Sequence, residues 1–431
     1  MKKNLLVLYV HSASRLSHLR KINSLKDKYT VTILYAKVEA KNYIERFAHQ
    51  AYSVTIENSA ENLDTILSTL GPTFQPDGIL NVSEPFLPLQ QKLCAHFNLP
   101  GPSLKAVEVG RNKYNMRAFS RELGIPVPDF VQVTSENIAD AARLTFPVIA
   151  KPLIGSGSSL VRRYDDYPSL VSDFAQLSDD AVSLFSRDSQ FKETFSGEYP
   201  FIVEEIIGGE VLFATRLPYR VGEISVESVY FNGEVEVLAI HDKPLPNNGP
   251  HFEEVCFSTP TRIPQALQQQ AKAYVSAIHR ALGAGAYVLH TEFRTLANEI
   301  KLIEFGVRMG GSAIYNSLLA STGIDFIEVQ IAIAMREEVN IPRKTARPVI
   351  TCLVFPQKQG RITAIHGENL FVSDPHYVEH QIYDNIGDIA YRAPLATRST
   401  LHVLFQAEDF AVLEETVNRF SALIRIDTVE N

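Results

Sequence analysis

The sequence predicts an α/β (α+β) protein whose chain builds first a parallel sheet and then antiparallel ones. Three observations carry this. Apolar runs at 4–10, 30–35, 51–56 and 78–82 alternate with helix-like stretches such as 62–70 and 85–96, the pattern of βαβ units. Further on, Asn232-Gly233 joins two alternating runs at 222–231 and 234–240, a strong short hairpin signal. Finally, 287–294 and 299–305 flank a polar break at Ala297-Asn298 and read as a second hairpin.

The bulk numbers narrow the class of function. A chain of 431 residues with 45% hydrophobic and 21% charged residues is ordinary for a globular protein of two to four domains. A net charge of −8 without a basic block argues against nucleic acid or an anionic membrane surface as partner. Three widely spaced cysteines, Cys94, Cys256 and Cys352, fit a reducing cytoplasm and neither a disulfide framework nor a zinc cluster. The apolar run Leu5–Val10 is too short for a secretory signal and reads as a buried first strand.

The turn after that strand, HSASRLSH, contains no glycine, so the first α/β region lacks the dinucleotide fingerprint. Leu99-Pro100-Gly101-Pro102-Ser103 marks its end, giving domains at 1–105, 106–340 and 341–431. A helix is expected over 112–123, closing at Gly124. Lys113 in its first turn opposes the helix dipole. Next, the strand Val148-Ile149-Ala150 ends in Lys151 and opens into Gly155-Ser156-Gly157-Ser158-Ser159. Small residues there let backbone N–H groups turn toward an anion, although such a loop is more often a plain turn. The strand YPFIVEEIIGG ends in Glu204 and Glu205, carboxylates suited to amino or hydroxyl groups or simply to water. Residues 241–260, with four prolines, read as a long substrate-covering loop. A structural helix follows at 264–282, a helix–turn–helix at 317–334 and a final amphipathic helix at 409–424.

The second hairpin is the chemical centre of this reading. Glu292 and Glu304 are symmetric about Asn298, so pairing about that break sets them opposite, with Cβ atoms roughly 4.5–5.5 Å apart. Two carboxylates that close repel unless a cation lies between them. Mg²⁺ suits one or two carboxylates plus phosphate oxygens. Arg308 and Gly310-Gly311-Ser312 follow directly.

Taken in order, Lys113 in RNKYNMRAFSRELGIPVPDF, Lys151 in KPLIGSGSSLV, Glu204, Glu205 and Glu210 in VEEIIGGEV, Glu292 in HTEFR and Glu304 with Arg308 in EFGVRMGG resemble the ATP-grasp superfamily. The branch most resembled is that of the L-amino-acid ligases (dipeptide synthetases). The resemblance implies an ATP-grasp fold with an N-terminal Rossmann-like pre-ATP-grasp domain and a small C-terminal α+β region completing the substrate site. It implies ATP bound by Lys113, Lys151, Ser156, Gly157, Ser158, Glu204, Glu205, Ile207 and Glu210, and Mg²⁺, replaceable by Mn²⁺, on Glu292 and Glu304. Arg308 would be the catalytic cation, with Glu254 and Gly311 at the substrates. The implied activity is ATP-dependent joining of a small carboxylic acid to an amine through an acyl phosphate, in the cytoplasm, with a homodimer left open. The alternatives are a carboxylase-like or nucleotide-precursor enzyme, or a non-catalytic ATP-binding regulator. Three positions depart from the family pattern: Gly306 in place of a metal-binding asparagine, Leu160 in place of a loop glycine, and Phe257 in place of a histidine.

Overall fold

The computed structural model describes residues 2–430 other than 11, 13–14, 37–40, 56–61, 156–158, 188–197, 218–219, 246–253, 284, 343–344, 393–394 and 397. The N-terminal apolar runs become β1 (Lys3–Val10), β2 (Tyr29–Ala36), β3 (Gln50–Ser53) and β4 (Gly78–Asn81). They form one parallel sheet in the order β3-β2-β1-β4. Residues Leu5 to Val10 are all fully buried, as expected for a strand covered on both faces.

A second sheet, ordered β5-β8-β6-β7, joins β5 (Phe130–Val133), β6 (Val148–Pro152), β7 (Arg162–Tyr164) and β8 (Phe201–Glu205). The helix Tyr167–Arg187 packs Leu170, Phe174, Leu177 and Ala181 against it. The loop leaving β6 contains Leu160 in the left-handed region, at φ 57°. Its side chain is fully buried in the same core, which offsets a backbone cost of about 1–2 kcal/mol.

The largest sheet has eight strands in the order β13-β12-β9-β10-β11-β14-β18-β16. Its members are β9 (Val221–Phe231), β10 (Glu234–Pro244), β11 (Cys256–Thr259), β12 (Tyr287–Thr295), β13 (Ile300–Gly306), β14 (Val349–Val354), β16 (Tyr377–Ile382) and β18 (Leu401–Gln406). Both expected hairpins are present. Asn232 and Gly233 take φ of 51° and 82° in the β9–β10 turn, and β12 pairs with β13. One face of the sheet is apolar and carries the helix Gln265–Leu282 through Leu267, Ala271, Val275 and Ile278. β15 (Gly360–His366), β17 (Ile389–Ala390) and β19 (Arg425–Val429) form a small third antiparallel sheet.

The stretch 241–260 differs from its expectation as one covering loop. His241–Pro244 continues β10 and Cys256–Thr259 is β11. Pro244 ends its strand at a register shift against β9, an irregularity that tolerates a missing N–H. The intervening residues 246–253 lie outside the described residues. Among the described residues no single helix is long and apolar enough to cross a membrane.

Candidate active site

The opposite face of the eight-stranded sheet is charged, because period-2 alternation brings selected residues of neighbouring strands to one side. β12 contributes His290, Glu292 and Arg294; β9 contributes Glu223, Ser225 and Glu227; β10 contributes His241 and Lys243. The register places Glu223 between Lys243 and Arg294, Ser225 between His241 and Glu292, and Glu227 opposite His290. Glu292 stands directly opposite Glu304 on β13, with a bulge just beyond the pair.

Lys243 is the centre of this array, and sequence reasoning missed it. Its ammonium is buried, bonded to Glu254 and Glu292, and 3.9 Å from Glu223. Burial alone would lower the Lys243 pKa, but the three carboxylates hold it well above its usual range. Burial would raise Glu292, whereas Lys243 and His290 hold it well below the usual carboxylate range. Glu223 is pushed up to about 7 by burial, against the pull of Arg294 and Lys243. Carboxylate oxygens of Glu223, Glu254 and Glu292 converge within 4.8 Å of one another. Such hard oxygen donors suit Mg²⁺, so the residues present fit a divalent ion. Glu304 is the second expected metal carboxylate. It is paired with Glu292 in the ladder and lies 3.6 Å from Lys113 Nζ.

Lys113 opens the helix Lys113–Glu122, which Asn112 caps through bonds to the N–H groups of Tyr114 and Asn115. Its Nζ donates to the Gly155 carbonyl at 2.6 Å, at the entry of the Gly/Ser loop. Ser156, Gly157 and Ser158 themselves lie outside the described residues. Lys151, next to last in β6, is buried, 2.5 Å from Glu204. Burial lowers its pKa against the attraction of Glu204. Glu204 also accepts from Arg117 Nε at 2.9 Å and Nη2 at 3.2 Å. Arg117 follows Lys113 by one helical turn and is fully buried, a pairing with no local signal in the sequence. Thr145 N–H donates to the Glu205 carboxylate at 2.8 Å, Ile206 N–H donates to the Pro147 carbonyl at 3.3 Å, and Ile207 is half-buried just beyond. Glu210 is tethered to Thr295 through its backbone N–H and carbonyl and leaves its side chain exposed.

Arg308 lies across the end of β13. A Cβ on Gly306 would come within 3.3 Å of Arg308 Cγ and 3.4 Å of its Cζ, so the side chain occupies space beside the glycine that replaces asparagine. Its Nε donates to Glu84 at 2.7 Å. Beyond it, Ser312 and Ala313 both take left-handed φ, 48° and 67°, a costly arrangement for residues with side chains. They introduce the helix Ile314–Thr322, which has no side-chain N-cap. Gly311 is exposed there with open space around it.

Known proteins agree with this architecture. Residues 144–316 match the ATP-grasp domain family, and the chain has the ATP-grasp fold. Over its full length it superposes on an L-amino acid ligase from Bacillus licheniformis with a TM-score of 0.82 at 22% identity, covering 99% of that chain. The alanine–anticapsin ligase of Bacillus subtilis is 24% identical over 349 residues, 78% of this chain and 71% of that one. An uncharacterized protein of Sinorhizobium fredii, y4rH, is 26% identical over 327 residues, 75% of this chain and 63% of its own length.

Proposed function

We propose that the chain is an ATP-dependent carboxylate–amine ligase that joins an amino acid to a second amine and releases ADP and phosphate. The observation that carries this is the gathering of Lys113, Glu304, Glu292 and Lys243 on and beside one sheet face, with Arg308 at its edge. The amino-acid ligases among its relatives support an amino acid as the acid.

A carboxylate does not condense with an amine near neutral pH, because its oxygen is a poor leaving group. Phosphorylation by ATP gives a mixed anhydride whose phosphate leaves readily. Such transfer depends mainly on positioning and charge neutralisation. Lys113 and Lys151 supply positive charge at the phosphates. Glu204 orients Lys151 and would accept from the adenine amino group, the backbone of Glu205 and Ile207 would read the adenine edge, and Glu210 would hold the ribose. Ser156, Gly157 and Ser158 are assigned to the phosphate loop. Glu292 and Glu304, with Glu223 beside them, would hold Mg²⁺, which would supply charge neutralisation at the phosphates. Arg308 donates to the oxyanion formed as the amine attacks, a role whose loss costs about 10²–10³ in rate. Glu254, already bonded to one ammonium, suits the substrate amine, and Gly311 leaves room for substrate.

The test is to incubate the protein with ATP, Mg²⁺ and paired amino acids and to read nucleotide products and condensed masses. ADP with a dipeptide-type mass supports the reading. AMP and pyrophosphate, or no acid- and amine-dependent turnover, would sink it.

A further inference from the structure

Glu227 has no place in the chemistry above, yet it is fully buried on β9 in the middle of the charged face. A buried carboxylate is expensive unless its oxygens are satisfied, and both are. One bonds His290 Nδ1, directly across the ladder. The other accepts the Gly310 N–H at 3.1 Å. His290 in turn places Nε2 3.1 Å from a Glu292 oxygen. One side chain therefore touches two segments that approach the site separately: β12, which carries Glu292, and the turn that follows Arg308. Gly310 belongs to the same arrangement, since a Cβ there would fall 2.8 Å from His290 Nδ1.

We propose that Glu227 is a positioning residue that fixes Glu292, through His290, and the Arg308–Ser312 turn, through the Gly310 amide, in one geometry. Glu292 has several rotamers available, and Lys243 alone would draw it toward β10. The His290 contact fixes the orientation of its carboxylate, and Glu227 fixes His290. Outer-shell partners of this kind typically change metal affinity by about 10–100-fold when replaced. The inference rests on the reading of Glu292 as a metal carboxylate, and the experiment separates the two.

Mn²⁺ binding to the ADP-loaded protein is measured by electron paramagnetic resonance, and ADP binding in metal-free buffer by calorimetry. E227Q keeps the side-chain volume and an acceptor for Gly310 but sets an amide N–H against the imidazole. The expected result is a Mn²⁺ affinity weakened about tenfold or more, with metal-free ADP affinity unchanged. H290Q should show the same loss, and E227Q/H290Q no more than either single change, because the residues act in series. A folded E227Q within twofold of wild type in Mn²⁺ affinity overturns the proposal, as does an equal loss of metal-free ADP binding, which would mark a general collapse. If E227Q does not fold, H290Q decides by the same criterion. A wild-type protein that binds ADP but no Mn²⁺ would remove the metal assignment, and the inference with it.

Discussion

Glu84 accepts a 2.7 Å hydrogen bond from Arg308 Nε across 224 residues of sequence. Glu84 stands just beyond β4, where the strand order β3-β2-β1-β4 reverses direction. That is the position at which open parallel sheets bind ligands. Burial would raise the Glu84 carboxyl, but Arg308 holds it below its usual range, helped by Arg111 and Lys113. A residue following the N-terminal parallel sheet thus holds the Arg308 guanidinium. E84Q should lower kcat about 10–100-fold, since an error near 1 Å in a reacting group can cost about 10²-fold. Steady-state kinetics check this, and KM for ATP should change little.

That contact also shows where sequence reasoning stops. The Glu292–Glu304 pairing expected from symmetry about Asn298 is present, but the ladder beside the turn centres between Ala297 and Asn298, and it is the bulge between Glu292 and Phe293, unsignalled in the sequence, that brings the two carboxylates opposite. The parallel N-terminal sheet was legible from its apolar runs. Lys243 was hidden because prolines at 244, 246, 250 and 260 disguise the end of β10 as loop. Glu84–Arg308 and Arg117–Glu204 join residues distant in the chain, and no local periodicity records such pairs.

Gly306 provides a second test. An added Cβ would press on Arg308 Cγ, Cζ and Nε at 3.3–3.4 Å. G306A should therefore displace the guanidinium by a few tenths of an ångström and lower kcat roughly tenfold, on the same positional sensitivity. The thermal midpoint should stay near that of wild type, measured by calorimetry alongside the kinetics.

The pH dependence of stability follows from Glu223. Lys243, Arg294, Glu292 and Glu254 face it, and burial leads in pushing it up to about 7, against about 4.3 in an unfolded chain. A raised pKa means that the folded state binds the proton more tightly. This group's stabilisation is complete below about 4.3 and is lost as pH rises through about 7. E223Q should flatten that part of the decline, seen as a shallower fall in thermal midpoint between about pH 5 and 7.5. An unchanged slope would contradict the assignment.

Arg262 tests the attachment of the C-terminal helix Phe410–Ser421. Its guanidinium lies between the rings of Phe213 and Phe410, at 4.4 and 4.2 Å, and donates to Glu414 at 2.6 Å. R262A leaves Glu414 buried without that partner. The expected loss is about 3–5 kcal/mol, as for a broken buried ion pair, read from urea unfolding.

The acyl phosphate is the central claim, and isotope transfer tests it most directly. An amino acid carrying ¹⁸O in its carboxylate is turned over with ATP, Mg²⁺ and the amine, and the released phosphate is analysed by mass. Attack of the carboxylate on the γ-phosphorus predicts one ¹⁸O in each phosphate released. Phosphate without label, at a rate matching product formation, would contradict the mechanism.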